Sequence, residues 1–138
     1  TPRYKAFHTF FDFYNNVMKN YEIRELLNNR NFKLNLDRRG ILNFSKEMLY
    51  YAEEAERRYP TKIIFLKYKA CIIHDLVILS VYSGEYKMAN KYHIKFQKLL
   101  KMIKRQERGL VEFGLNKTDD IMKMLNEDNE KLKKYVKP

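Results

Sequence analysis

The sequence predicts an all-α fold: a single-domain bundle of about five helices with antiparallel neighbours and a buried central helix over 62–82. Three observations predict it. Apolar residues recur at alternating steps of three and four through most of the chain, the period of a helix with one packing face. Gly (4) and Pro (3) are scarce among 138 residues, whereas β-rich folds need frequent turn residues. Hydrophobic residues make up 45% and charged residues 33%, a mixture too apolar for disorder, so each element must sort the two kinds onto opposite sides. A chain of this length fits one domain, 1–138, and can bury about two-thirds of its unfolded surface.

Each element follows from its own spacing. Thr1 and Pro2 can open a helix, with Thr at the cap and Pro at the first helical position. Tyr4, Phe7, Phe11, Tyr14, Met18 and Tyr21 then form a long aromatic stripe, extensible to Leu26 and Leu27 before Asn28 and Asn29. The alternation of 31–36 has no partner strand and reads as an extended loop with anchoring side chains. Asp37 is a candidate cap for a second helix with the stripe Ile41, Phe44, Met48, Tyr51, Ala55 and Tyr59, ended by Pro60. Thr61 can cap the next helix. Segment 62–82 is apolar nearly all round in its second half and would span about 31 Å. Lys62, Lys67, Lys69, His74 and Asp75 argue against its crossing a membrane. Ser83 and Gly84 allow a tight turn, which makes the next helix an antiparallel neighbour. That helix packs through Ala89, Tyr92, Phe96, Leu99 and Ile103 and is expected to stop at Gly109. The apolar stretch 110–115 reads as a link. Thr118 caps a last helix with Asp119 and Asp120 in its first turn and a thin stripe of Ile121, Leu125, Leu132 and Val136, expected to be peripheral or partly frayed.

Charge is the main functional clue. The net charge is +11, and residues 83–108 hold eight Lys/Arg against two Glu, while 37–60 and 109–138 are each balanced. Lys87, Lys91, Lys95, Lys98, Lys101, Arg105 and Arg108 fall on one side of the helix, within an arc of roughly 140°. A cationic stripe of this kind suits a polyanion backbone or an acidic protein surface, and Tyr82 and Tyr86 near the turn suit stacking on unpaired bases. The ordinary alternative is a solvated helix face, and the acidic stretch 119–130 is a candidate cover for the stripe.

The chemistry of a catalytic or metal site is thin. Cys71, His74 and Asp75 share one helical face, but no second cluster supplies further ligands, so packing with a satisfied polar group is expected. Glu53, Glu54 and Glu56 are followed by Arg57 and Arg58 and read as a salt-bridged face. There is no Gly-rich phosphate loop. The single Cys71 excludes an internal disulfide and suits a reducing compartment, cytoplasmic or nuclear.

Two resemblances accompany this reading. Gly84, Glu85, Tyr86, Ala89 and Tyr92 stand in the order that the middle of a tetratricopeptide repeat has, and Ala52, Ala55 and Pro60 are similar to the end of one. This resemblance covers about a third of the chain, with Val77 and Phe96 where the family has small residues. It implies stacked antiparallel helix pairs and a protein–protein interaction adaptor or regulator. Arg3 and His8, four residues between them, look like the Arg–His pair of the HEPN ribonucleases, although here the pair stands at the N-terminus beside Tyr4. The expectation is a non-enzymatic binding module with no catalytic residues, metal or cofactor, whose partner is DNA or RNA or an acidic protein surface. Homo-oligomerisation is left open.

Overall fold

The computed structural model describes residues 3–34, 37–112 and 120–136. Five α-helices follow in order: α1 Tyr4–Tyr21, α2 Arg38–Arg58, α3 Ile63–Tyr82, α4 Tyr86–Glu112 and α5 Asp120–Leu132, with a 3-10 turn Ile23–Leu27 between α1 and α2. The helices pack on one another as an all-α bundle, and no strand occurs among the described residues. α3 is the centre. Thirteen of its twenty residues are buried, and α2, α4, α5 and the 3-10 turn all pack against it. Burial on every side is what a helix with no polar face requires.

α1 buries Phe7, Phe11, Tyr14 and Met18. Thr1 and Pro2 lie outside the described residues, and the first helical residue is Tyr4, with Arg3 at its cap. The aromatic stripe does not continue as one helix. Glu22 takes a left-handed conformation (φ 51°), and its N–H bonds back to Lys19 O, closing α1. The turn that follows redirects Ile23, Leu26 and Leu27 into the core. Asn31 to Leu34 is non-helical, with Leu34 buried and Phe32 half-buried as anchors; 35–36 lie outside the described residues.

Asp37 caps α2, its Oδ1 accepting from Arg39 N at 3.1 Å. The buried face of α2 is rotated from the predicted stripe: Ile41, Leu42, Ser45, Met48, Leu49, Ala52 and Ala55 are inside. Phe44 and Tyr51 lie at the seam with α1, where Tyr51 meets Phe10 and Phe44 meets Tyr14 and Phe13. Small residues facing α3 let two backbones approach, and the rings fill the wider seam. Lys62, rather than Thr61, holds the cap position of α3.

Gly84 (φ 74°) makes the turn into α4, a conformation that glycine adopts without steric cost. The expected stop at Gly109 does not occur. The backbone of α4 runs through it to Glu112, 27 residues in all. An interior glycine costs a helix about 1 kcal/mol relative to alanine, which a long packed face easily outweighs. Thr118 and Asp119 lie outside the described residues.

α5 is neither peripheral nor frayed. Met122, Leu125, Asp128 and Leu132 are buried, as is Val136 beyond it, while Ile121 is turned outward. No helix among the described residues is long and apolar enough to cross a membrane.

Candidate nucleic-acid interface

Two polar constellations result from this packing, one inside the bundle and one on its surface. The inner one is a chain of five side chains from four elements. Tyr14 Oη of α1 donates to Asp75 Oδ2 at 2.6 Å, and His74 Nδ1 lies 2.8 Å from Asp75 Oδ1. His74 Nε2 lies 2.7 Å from Asp128 Oδ2 of α5, whose two oxygens also accept from Arg24 Nε and Nη2 of the 3-10 turn at 2.8 and 2.9 Å. A neutral imidazole has one N–H, so a ring facing two carboxylates is held as the imidazolium. Burial alone would push His74 down, but the bonds to Asp128 and Asp75 outweigh it and raise the ring to about 9. Burial likewise pushes Asp128 up, and the bonds from His74 and Arg24 overturn that, bringing it to about 2. Tyr14 is pushed well above its ordinary value by burial and by the charge of Asp75, so it remains a donor.

This chain is saturated. Every named atom already has its partner at hydrogen-bond distance, which is the mark of a structural network rather than of a site waiting for a substrate. Of the trio Cys71, His74 and Asp75, the structure draws the last two into the network. Among the described residues no group of three or more His, Cys, Asp or Glu is arranged to hold a metal ion. The Arg3–His8 pair is also separated in role. His8 Nδ1 lies 2.6 Å from Tyr68 Oη, and its ring packs among Tyr4, Phe65 and Tyr68, while Arg3 is exposed at the start of α1.

The outer constellation is the α4 stripe. Its apolar side is claimed by the core: Ala89, Phe96, Leu99, Leu100 and Ile103 are buried, and Tyr92 is half-buried. Opposite them, Lys87, Lys91, Lys95, Lys98, Lys101, Arg105 and Arg108 are all exposed. The rise from Lys87 to Arg108 is about 32 Å. Ile94, 50% exposed, stands in the middle of the arc.

α5 does not cover the stripe. It meets α4 on another flank, where His93 Nε2 lies 2.9 Å from Asn129 Oδ1. Burial pushes His93 below the ordinary range, so it stays neutral and adds nothing to the positive face. Inside, Lys67 Nζ of α3 lies 2.9 Å from Glu107 Oε1 of α4. The two form a buried ion pair across the α3–α4 contact.

Several cations elsewhere are paired with acids. Arg24 pairs with Asp128, Arg57 and Arg58 with Glu54, Lys69 with Glu56, and Lys133 with Glu130. None of the seven stripe cations makes such a pair among the described residues; Lys95 alone has an aromatic neighbour, its Nζ 6.0 Å from the Tyr92 ring centre.

Tyr82 and Tyr86 are not brought to the stripe. Tyr82 is half-buried, and its hydroxyl accepts from Leu34 N at 3.2 Å. Tyr86 is exposed but stands roughly 100° round the helix from Lys87. Both line a cavity of about 250 Å³ at the end of the bundle, with Leu27, Arg30 and Tyr135. Helical spacing cannot reveal this, because the cavity is completed by segments far away in the chain.

Sequence reasoning missed Tyr14, Arg24 and Asp128 as polar partners. One signal was present: Asp128 lies three residues after Leu125 and four before Leu132, on the stripe that packs. No family model, curated protein or solved structure matches the chain.

Proposed function

We propose that the protein is a non-enzymatic helical binding module whose α4 outer face lies along a nucleic-acid backbone. Lys87, Lys91, Lys95, Lys98, Lys101, Arg105 and Arg108 would neutralise successive phosphates. The observation that carries this reading is the alignment of charge: these seven are exposed along one side of a single helix over about 32 Å, with no acidic partner among the described residues. The length of the stripe is comparable to one turn of duplex DNA, roughly 34–36 Å. Contacts of this type position the backbone and read little sequence. A reducing compartment, cytoplasmic or nuclear, suits both the partner and a chain with a single cysteine, Cys71.

The test is a titration of labelled DNA and RNA at low salt with the wild type and with Lys91, Lys95, Lys98 and Lys101 replaced by Glu. All four are exposed, so the variant should keep the circular dichroism of the wild type. Binding should be lost in the variant. Undiminished binding by the folded variant, or none by the wild type, would reject the proposal.

A second reading is a tetratricopeptide-like adaptor for another protein. It is favoured by two large rings left in water on the α1–α2 side, Phe13 (60% exposed) and Tyr50 (62%). An interaction that survives nuclease treatment and the four-Glu replacement would favour this reading over the first.

A further inference from the structure

A groove of about 280 Å³ runs along one edge of the cationic face, where α4 meets α2 and α3. Glu53, Lys69, Lys95, Lys98, Leu99 and Met102 are among the residues that line it. Lys95 and Lys98 belong to the groove and to the stripe alike. What distinguishes the groove is that it adjoins the cationic face, and three of its properties bear on what it could hold. Its volume lies just below the range of roughly 300–1,000 Å³ typical of small-molecule sites, room for one planar ring rather than a larger ligand. Its apolar surface comes chiefly from the half-buried Met102, over the buried Leu99, and cations stand at its edge. It also contains a carboxylate, which a surface made only for phosphates would exclude. That carboxylate is lightly held: Lys69 Nζ sits 2.9 Å from Glu56 and 4.0 Å from Glu53, and the Glu53 side chain is 53% exposed. The same negative charge reaches the half-buried Tyr92, whose phenol is pushed up by burial and by Glu53.

An apolar slot, an anionic hydrogen-bond acceptor and flanking cations form the complement of a single unstacked nucleotide. The faces of a base are apolar, its amino group donates, and the phosphates on either side are negative. In a duplex the base faces are covered by stacking, and only base edges and the backbone are exposed. We infer that this groove takes one base of a single-stranded nucleic acid, with its exocyclic amino group donating to Glu53 and its neighbouring phosphates on Lys95 and Lys98. The inference rests on the nucleic-acid reading above and narrows it from nucleic acid in general to single strands. Bases with an amino group are favoured. Cytosine N4–H₂ donates to a carboxylate, whereas thymine offers the acceptor O4 at the corresponding place.

The experiment is fluorescence anisotropy at one fixed low salt concentration with three labelled probes: oligo(dC) and oligo(dT) of about twelve nucleotides, and a mixed-sequence duplex of the same length. The wild type should bind oligo(dC) a few-fold more tightly than the duplex, about what one bound base edge and a small apolar contact supply, and more tightly than oligo(dT). Met102→Trp, which fills the groove, should bring oligo(dC) affinity down to the duplex level. Glu53→Gln, at a position open to solvent, should abolish the preference for oligo(dC) over oligo(dT). If Met102→Trp fails to fold, the Glu53→Gln comparison and the wild-type ranking still decide the matter. Equal binding of strand and duplex, unaltered by either variant, would overturn the groove while leaving backbone binding intact. Failure of all three probes to bind would overturn the nucleic-acid reading and the groove with it.

Discussion

His74 carries two N–H groups into a fully buried place, and both meet carboxylates. An isolated buried ion would cost many kcal/mol, so the arrangement holds only because Asp75, Asp128, Arg24 and Tyr14 answer one another. Removing one member exposes that dependence. Asp128→Ala should destabilise the fold by roughly 3–5 kcal/mol in urea denaturation, because it leaves the buried Nε2–H of His74 and the Arg24 guanidinium without their carboxylate. Tyr14→Phe should cost less, about 1–3 kcal/mol, since only one neutral donor is withdrawn from Asp75.

The same network sets a pH profile. With its pKa raised from 6.5 to about 9, His74 contributes stability that is fully present below pH 6.5 and lost as pH rises through 9. With its pKa lowered from 3.8 to about 2, Asp128 contributes stability present above pH 3.8 and lost as pH falls through 2. The groups around His74 are Asp75 on its own helix, Asp128 from α5 with Arg24 behind it, and the Phe96 ring from α4. A thermal-melt series should therefore peak between about pH 4 and 6.5. His74→Met should flatten the alkaline limb; an unaltered limb in that variant would contradict the assignment.

At the scale of elements, α4 shows how weak a local stop signal is against a long packing face. Gly109 lies in the helix with nothing within 4 Å of a Cβ built there. Gly109→Ala should stabilise the protein by about 0.4–1 kcal/mol, by relieving the cost of an interior glycine. Gly84 is the opposite case. Its surroundings are also open, but its φ of 74° strains any side chain, so Gly84→Ala should destabilise by about 1–2 kcal/mol. Chemical denaturation of the two single variants checks both signs together. The stripe of α4 was legible because helix period and residue type coincide. The rotation of α2 was not, since Phe44 and Leu42 are both apolar, and only the shape of the neighbours decides which is buried.

On the scale of the whole molecule, charge is distributed by pairing as much as by composition. Some cations are paired with acids inside the bundle or along helix faces, and more than half of the net +11 gathers on 83–108, where eight Lys/Arg stand against two Glu. If four to seven stripe residues each neutralise one phosphate, log Kd should rise with log salt with a slope of roughly 4–6 on duplex DNA. A slope near zero would mean that attraction is not carried by the stripe. The four-Glu variant, if any affinity remains, should show a much shallower slope.

The sequence by itself determined where the helices lie, that 62–82 is central, and that positive charge gathers on one face of the helix after Gly84. These follow from interactions three or four residues apart, which a linear pattern records directly. Tertiary structure alone decided that α5 docks beside the stripe and not over it, that Glu53 and Lys69 border it, and that His74 finds Asp128. Those partners stand 54 residues apart in the chain, and Arg24 stands 104 from the same carboxylate. A polar residue in a helix looks alike whether it faces water or a distant partner. Which of the two it faces is settled only when the bundle closes.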